Sequence, residues 1–150
     1  MTDRELIYEK IGMILHISQA IEYNLHYIII YDNIYRSCLS KDEVIEKLKK
    51  KNEYYEELKH KPTGYSLDYA RRFKIFDTEF IEKLSKIVST RNYYAHEFFK
   101  QIIDKNDLDS NSNYYINKLE KDVFRLNEMN NELGKDINTL VNNIRQKINS

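Results

Sequence analysis

Phe80-Ile81-Glu82-Lys83-Leu84-Ser85-Lys86-Ile87-Val88-Ser89-Thr90-Arg91-Asn92-Tyr93-Tyr94-Ala95-His96-Glu97-Phe98-Phe99-Lys100-Gln101-Ile102 is the stretch that decides the fold. Phe80, Leu84, Ile87, Ala95, Phe98 and Ile102 recur at helical steps, which predicts one apolar face of an α-helix. Arg91 falls on that stripe, four residues after Ile87. A guanidinium on a core-facing stripe needs a partner, because an unpaired buried charge is costly. On an ideal helix Arg91 and His96 point roughly 140° apart, at about 100° per residue. They converge only if the helix bends near Arg91 or if two chains share one site. Ser89-Thr90 favours a bend, since both hydroxyls compete for backbone hydrogen bonds.

Outward from this stretch the pattern stays helical. Three glycines and one proline leave few breaks in 150 residues. The first helix is predicted to start at an Asp3 N-cap and run to about Cys38. Ile7, Ile11, Ile14, Ile21, Leu25 and Ile28 mark one face; Met13, Ile17, Ala20, Tyr27 and Tyr31 mark a second. So wide an apolar surface predicts a central helix or an intermolecular contact. Tyr23, Tyr27, Tyr31 and Tyr35 form a ridge at four-residue steps. It reads as core packing with hydroxyls at the rim, or as a stacking platform for bases.

Ser40 and Glu43 form a capping box that opens a second helix, ended by Lys61-Pro62-Thr63-Gly64. Its Lys47, Lys49, Lys50 and Lys51 read as a solvated face or an RNA-facing patch. Ser66 is the predicted cap of a short helix over 66–74, which carries the basic cluster Arg71, Arg72 and Lys74. Asp77 caps the helix of the opening stretch. Asp104 to Asn113 is a polar loop without the glycine and bidentate glutamate of an EF-hand. The last helix, about Tyr114 to Ile148, carries a seam through Ile116, Leu119, Val123, Leu126, Leu133, Ile137, Leu140 and Ile144. Asn130 is the one polar position in that seam, and Gly134 could divide the helix. The fold class is therefore all-α: four substantial helices in an up-and-down bundle plus an additional short helix, in a single domain over 1–150.

Acidic and basic residues balance at 24 each, so the molecule has no overall basic field, and any RNA contact must use local patches. The single cysteine, Cys38, excludes an intramolecular disulfide and reads as a packed thiol. No secretory leader is legible at Met1-Thr2-Asp3-Arg4-Glu5, and Tyr27 to Tyr31 is too short to span a bilayer, so a cytoplasmic protein without a membrane partner is expected. His16 and His26 form no metal pair, and no His/Cys/Asp/Glu spacing suggests a metal or cofactor.

Arg91-Asn92-Tyr93-Tyr94-Ala95-His96 resembles the Arg-x4-His form of the arginine–histidine motif of the HEPN superfamily, including the polar residue directly after the arginine. The resemblance implies a helical bundle and a metal-independent endoribonuclease that uses no cofactor. It also implies a toxin or phage-defence effector, working as a homodimer with two motifs facing one cleft. Arg91, Asn92 and His96 are then the catalytic candidates, Tyr94 and Glu97 auxiliaries, and Arg71, Arg72 and Lys74 an RNA-binding cluster. Imidazole titrates near neutral pH and suits proton transfer; a permanent forked cation suits a phosphorane-like transition state. A cognate antitoxin could be a nucleotidyltransferase that attaches AMP to a tyrosine two residues after the histidine. Here that position is Phe98, which has no hydroxyl. A non-catalytic helical protein-interaction module is the alternative function.

Overall fold

The computed structural model describes all residues, Met1–Ser150, and contains helices and turns but no strand. Helix α1 spans Asp3–Ser37. Its cap is Thr2 rather than the predicted Asp3: the Glu5 amide donates to Thr2 Oγ1 at 3.1 Å. Thr2 and Glu5 have capping-box spacing, and Asp3 sits in the first turn, where negative charge suits the helix dipole.

The predicted second helix is two. Helix α2 covers Lys41–Lys49, with Ser40 Oγ accepting from the Glu43 amide. Lys50, at φ −97° and ψ 5°, interrupts it before α3, Lys51–Leu58. The break falls where lysines crowd one turn and no apolar side chain is available between Leu48 and Tyr54 to hold it. Helix α4, Thr63–Arg72, begins three residues before the predicted Ser66 cap. Pro62, at ψ 149°, ends the extended approach and starts the helix, and Ser66 lies buried inside it. Helix α5, Thr78–Asn92, is capped as predicted: the Phe80 amide donates to Asp77 Oδ1 at 2.8 Å.

A π-helical turn, Tyr93–Glu97, joins α5 to α6, Phe98–Lys105. Asn106 ends α6 in the left-handed region (φ 52°), where asparagine is tolerated. In the polar loop Asp107 accepts from Tyr115 Oη at 2.7 Å and Asn111 Nδ2 at 2.8 Å, which ties the loop to the next helix. Helix α7 runs unbroken over Ser112–Asn149. Gly134 does not divide it: one interior glycine costs about 1 kcal/mol, and the buried Leu133 beside it offsets that.

The chain forms two compact units. The first holds Met1–Ile21 and Glu82–Asn130. Its buried side chains include Ile7, Ile11 and Ile14 of α1, Tyr94, Phe98 and Ile102 around the π turn, and Leu119 and Leu126 of α7. The second holds Glu22–Ile81 and Asn131–Ser150, with Leu25, Ile28, Ile34, Val44, Ala70, Leu133 and Ile144 among its buried residues. The predicted principal face of α1 is buried throughout. Of the second face, Ile17 is buried, Ala20, Tyr27 and Tyr31 are half-buried and Met13 is exposed; Ile29, Ile30 and Ile34, outside both predicted faces, are buried as well. Branched aliphatic side chains bury completely, whereas tyrosines keep their hydroxyls wet. No helix is long and apolar enough to cross a membrane.

Candidate functional site: the Arg91–His96 turn

The motif lies wholly in the first unit, and the π turn falls on it. The Phe98 amide donates to the Tyr93 carbonyl, five residues back, instead of the usual four. Upstream, Ser89 Oγ and Thr90 Oγ1 donate to the carbonyls of Ser85 and Lys86. At Ser89-Thr90 the helix stays α-helical; the irregularity begins four residues after Ser89, as a π turn rather than the predicted bend. A π turn rotates the chain less per residue than an α-turn. Over the steps from Arg91 to His96 this removes roughly 60° of the ideal 140°, leaving the two at about 80°. The π turn thus narrows the angle between Arg91 and His96 along one helical run.

Tyr94, not Ala95, takes the inward position of this turn; Ala95 is exposed and Phe80 half-buried. The reason is what each side chain gains. Tyr94 buries a ring against Phe98, with centroids 5.4 Å apart, and donates from Oη to Asp122 Oδ2 at 2.5 Å. Alanine offers only a methyl group. Arg125 Nη2 donates at 2.9 Å both to Asp122 Oδ1 and to Thr90 Oγ1. A polar network, Tyr94–Asp122–Arg125–Thr90, therefore anchors the motif turn to α7. Burial first, then the bond to Asp122, pushes the Tyr94 phenol well above its ordinary range. Tyr94 holds its proton and positions the turn; it is not a proton shuttle.

Arg91 is half-buried, and its Nε donates to Asn92 Oδ1 at 3.1 Å. Asn92 is exposed and bonds the guanidinium rather than the histidine. The His96 imidazole is exposed, and no hydrogen bond within the chain holds it. Glu97 is exposed and pairs with Lys100 at 3.9 Å, a contact that water screens heavily. Lys118 Nζ lies 4.5 Å from the Tyr93 ring centroid, and Tyr93 Oη donates to Gln101. Arg91, Arg125, Lys118 and Lys100 all belong to the first unit, where Arg125 pairs with Asp122 and Lys100 with Glu97. Sequence reading missed Arg125 and Asp122, because only folding brings α7 to Thr90 and Tyr94. Their spacing, Asp122 three residues before Arg125, was the one available signal.

Arg71, Arg72 and Lys74 belong to the second unit. Arg71 pairs with Asp68 at 2.9 Å, Arg72 covers the Phe73 ring at 5.3 Å, and Lys74 follows α4 with φ 52°. No group of three or more His, Cys, Asp or Glu side chains is arranged to hold a metal ion. Compared with protein families, curated proteins and solved structures, the chain matches none of them.

Proposed function

We propose that the protein is a metal-independent endoribonuclease of HEPN type, acting as a toxin or phage-defence effector in the cytoplasm. The observation that supports this is the π turn on the motif: it narrows the angle between an exposed imidazole, His96, and a guanidinium, Arg91, that donates to Asn92. Such a pair fits transesterification of RNA. The 2′-hydroxyl oxygen attacks the adjacent phosphorus, losing its proton to a base, and the P–O5′ bond breaks as the leaving oxygen gains a proton. His96 is the general acid–base group in this reading. Arg91 donates to the non-bridging oxygens as charge gathers on them, a contribution of the oxyanion-hole kind. Lys118, over the Tyr93 ring of the same turn, is a further cation for the RNA backbone in this reading.

A four-helix up-and-down topology, read from periodicity and caps, belongs to the same proposal, as do the homodimer and the cognate antitoxin that the resemblance implies. Exposed apolar side chains support the dimer. Phe99 and Ile103 follow His96 at three- and four-residue steps, and Tyr8 packs on Phe99 at 5.7 Å. Ile103 is 76 % exposed. The same patch favours the second reading, a helical interaction module without catalysis. Incubating the purified protein with single-stranded RNA in excess EDTA separates the two. The nuclease yields fragments ending in a 2′,3′-cyclic phosphate, and His96→Ala abolishes them while its circular dichroism stays unchanged. Intact RNA from the unaltered chain overturns the nuclease reading.

A further inference from the structure

A second site lies in the second unit, between α1, α3 and α4. It is a cleft of about 230 Å³. That is below the roughly 300–1,000 Å³ of drug-sized pockets, so it suits one flat ring system. The buried side chains of Ile29, Ile30 and Leu58 form its apolar floor. Tyr54, Tyr65 and Tyr69 line its sides. These three rings do not stack on one another: Tyr69 packs against Phe73 outside the cleft, and the Tyr65 face meets only the Lys61 ammonium, at 4.6 Å. Aromatic faces are thus available to a planar guest, as the tyrosine ridge of α1 is not, because Tyr27 there is stacked on Tyr55 at 5.1 Å.

The polar groups at the cleft are three tyrosine hydroxyls, one amide, one ammonium and one carboxylate. Glu57 lines it and makes no ion pair. Asn33 spends its amide nitrogen on Tyr69 Oη at 3.3 Å, which leaves its side-chain oxygen as an acceptor. Lys61 supplies one cation at the mouth. We propose that this cleft binds a guanine base of single-stranded RNA, with the ring over the tyrosines, Glu57 on its Watson–Crick edge and Lys61 near the attached phosphate.

Only guanine presents two adjacent N–H donors, N1 and N2, on that edge, and they match the two oxygens of a carboxylate. Adenine and cytosine place a ring-nitrogen acceptor there, which the carboxylate repels. Uracil offers one N–H flanked by two carbonyls. Stacking on tyrosine is sequence-tolerant and contributes affinity; the unpaired carboxylate contributes the choice of base. The RNA class rests on the proposed function, whereas the preference for guanine rests on the cleft alone.

The test uses 2′-O-methyl pentanucleotides, which bind but lack the attacking hydroxyl. Fluorescence anisotropy is measured for labelled 5′-UUGUU, 5′-UUAUU and 5′-UUUUU on the unaltered protein and on Glu57→Gln. Glu57 is exposed, so the variant keeps the fold, checked by circular dichroism. The expected result is binding of 5′-UUGUU about tenfold tighter than the other two, in the range one good base-edge contact supplies, and a fall to about twofold in Glu57→Gln. Tyr65→Ala weakens all three alike. Equal affinities on the unaltered chain overturn the proposal, as does a guanine preference that survives Glu57→Gln. Cleavage of ordinary RNA is assayed separately. A chain that prefers guanine but never cleaves removes the nuclease and keeps the cleft; a chain that cleaves with equal affinities does the reverse.

Discussion

Tyr94→Phe tests the network that holds the motif turn. The substitution keeps the buried ring and removes one hydroxyl. Asp122 then loses the 2.5 Å donor to Oδ2 but keeps Arg125 at 2.9 Å on Oδ1. A hydrogen bond to a charged acceptor contributes about 1.5–3 kcal/mol. The Asp122 side chain is 15 % exposed, so water partly replaces the lost donor, and the lower end, about 1.5–2 kcal/mol, is expected. For a chain of this size that lowers Tm by roughly 3–8 °C. Urea unfolding followed by far-UV circular dichroism should show a lower midpoint at unchanged slope.

The sign with pH is also fixed. The folded phenol is raised above its unfolded value, so the native state keeps a proton that the unfolded chain releases near pH 10. Its stabilisation is present below about pH 10 and fades as pH rises further, so the gap between the two proteins should narrow there. Pairing the change with Asp122→Ala should give a coupling energy of about 1 kcal/mol or more. A loss under about 0.5 kcal/mol, insensitive to alkaline pH, would refute the network as an anchor.

Three further outcomes follow from named contacts. Tyr115 first, then Asn111, holds the Asp107 carboxylate below its ordinary range, so its stabilisation is present above about pH 4 and lost as pH falls further; Asp107→Asn should flatten that part of the acid-denaturation curve. Burial pushes His26 below its ordinary range, and its buried Nδ1 has no partner, so the unfolded chain takes up a proton first as pH falls below about 6.5. Stability should decline there, and His26→Phe should remove that decline, read by urea unfolding at pH 5 and pH 8. Ile103→Glu places a charge in the exposed apolar patch beside the motif; light scattering should show the proposed homodimer shifted to monomer, and an unchanged mass would exclude this patch as the interface.

The sequence by itself determined the helical class, because apolar residues at steps of three and four admit no other regular structure. The Asp77 and Ser40 caps were legible for the same local reason: a side-chain oxygen and an amide three residues apart need nothing from the rest of the chain. The bend expected at Ser89 and Thr90 became a π turn over Tyr93–Glu97. What the sequence could not fix was which of several local options wins. Ser66 looked like a cap but is buried, because Pro62 starts α4 earlier. One lysine-rich helix became two. Tyr94 displaced Ala95 from the core only because Asp122, twenty-eight residues on, is there to receive its hydroxyl. Arg125 and the Glu57 cleft likewise depend on partners distant in the chain. Local hydrogen bonds and periodicity belong to neighbouring residues and can be read directly; burial, pairing of charges and the shape of a cleft exist only once distant segments meet.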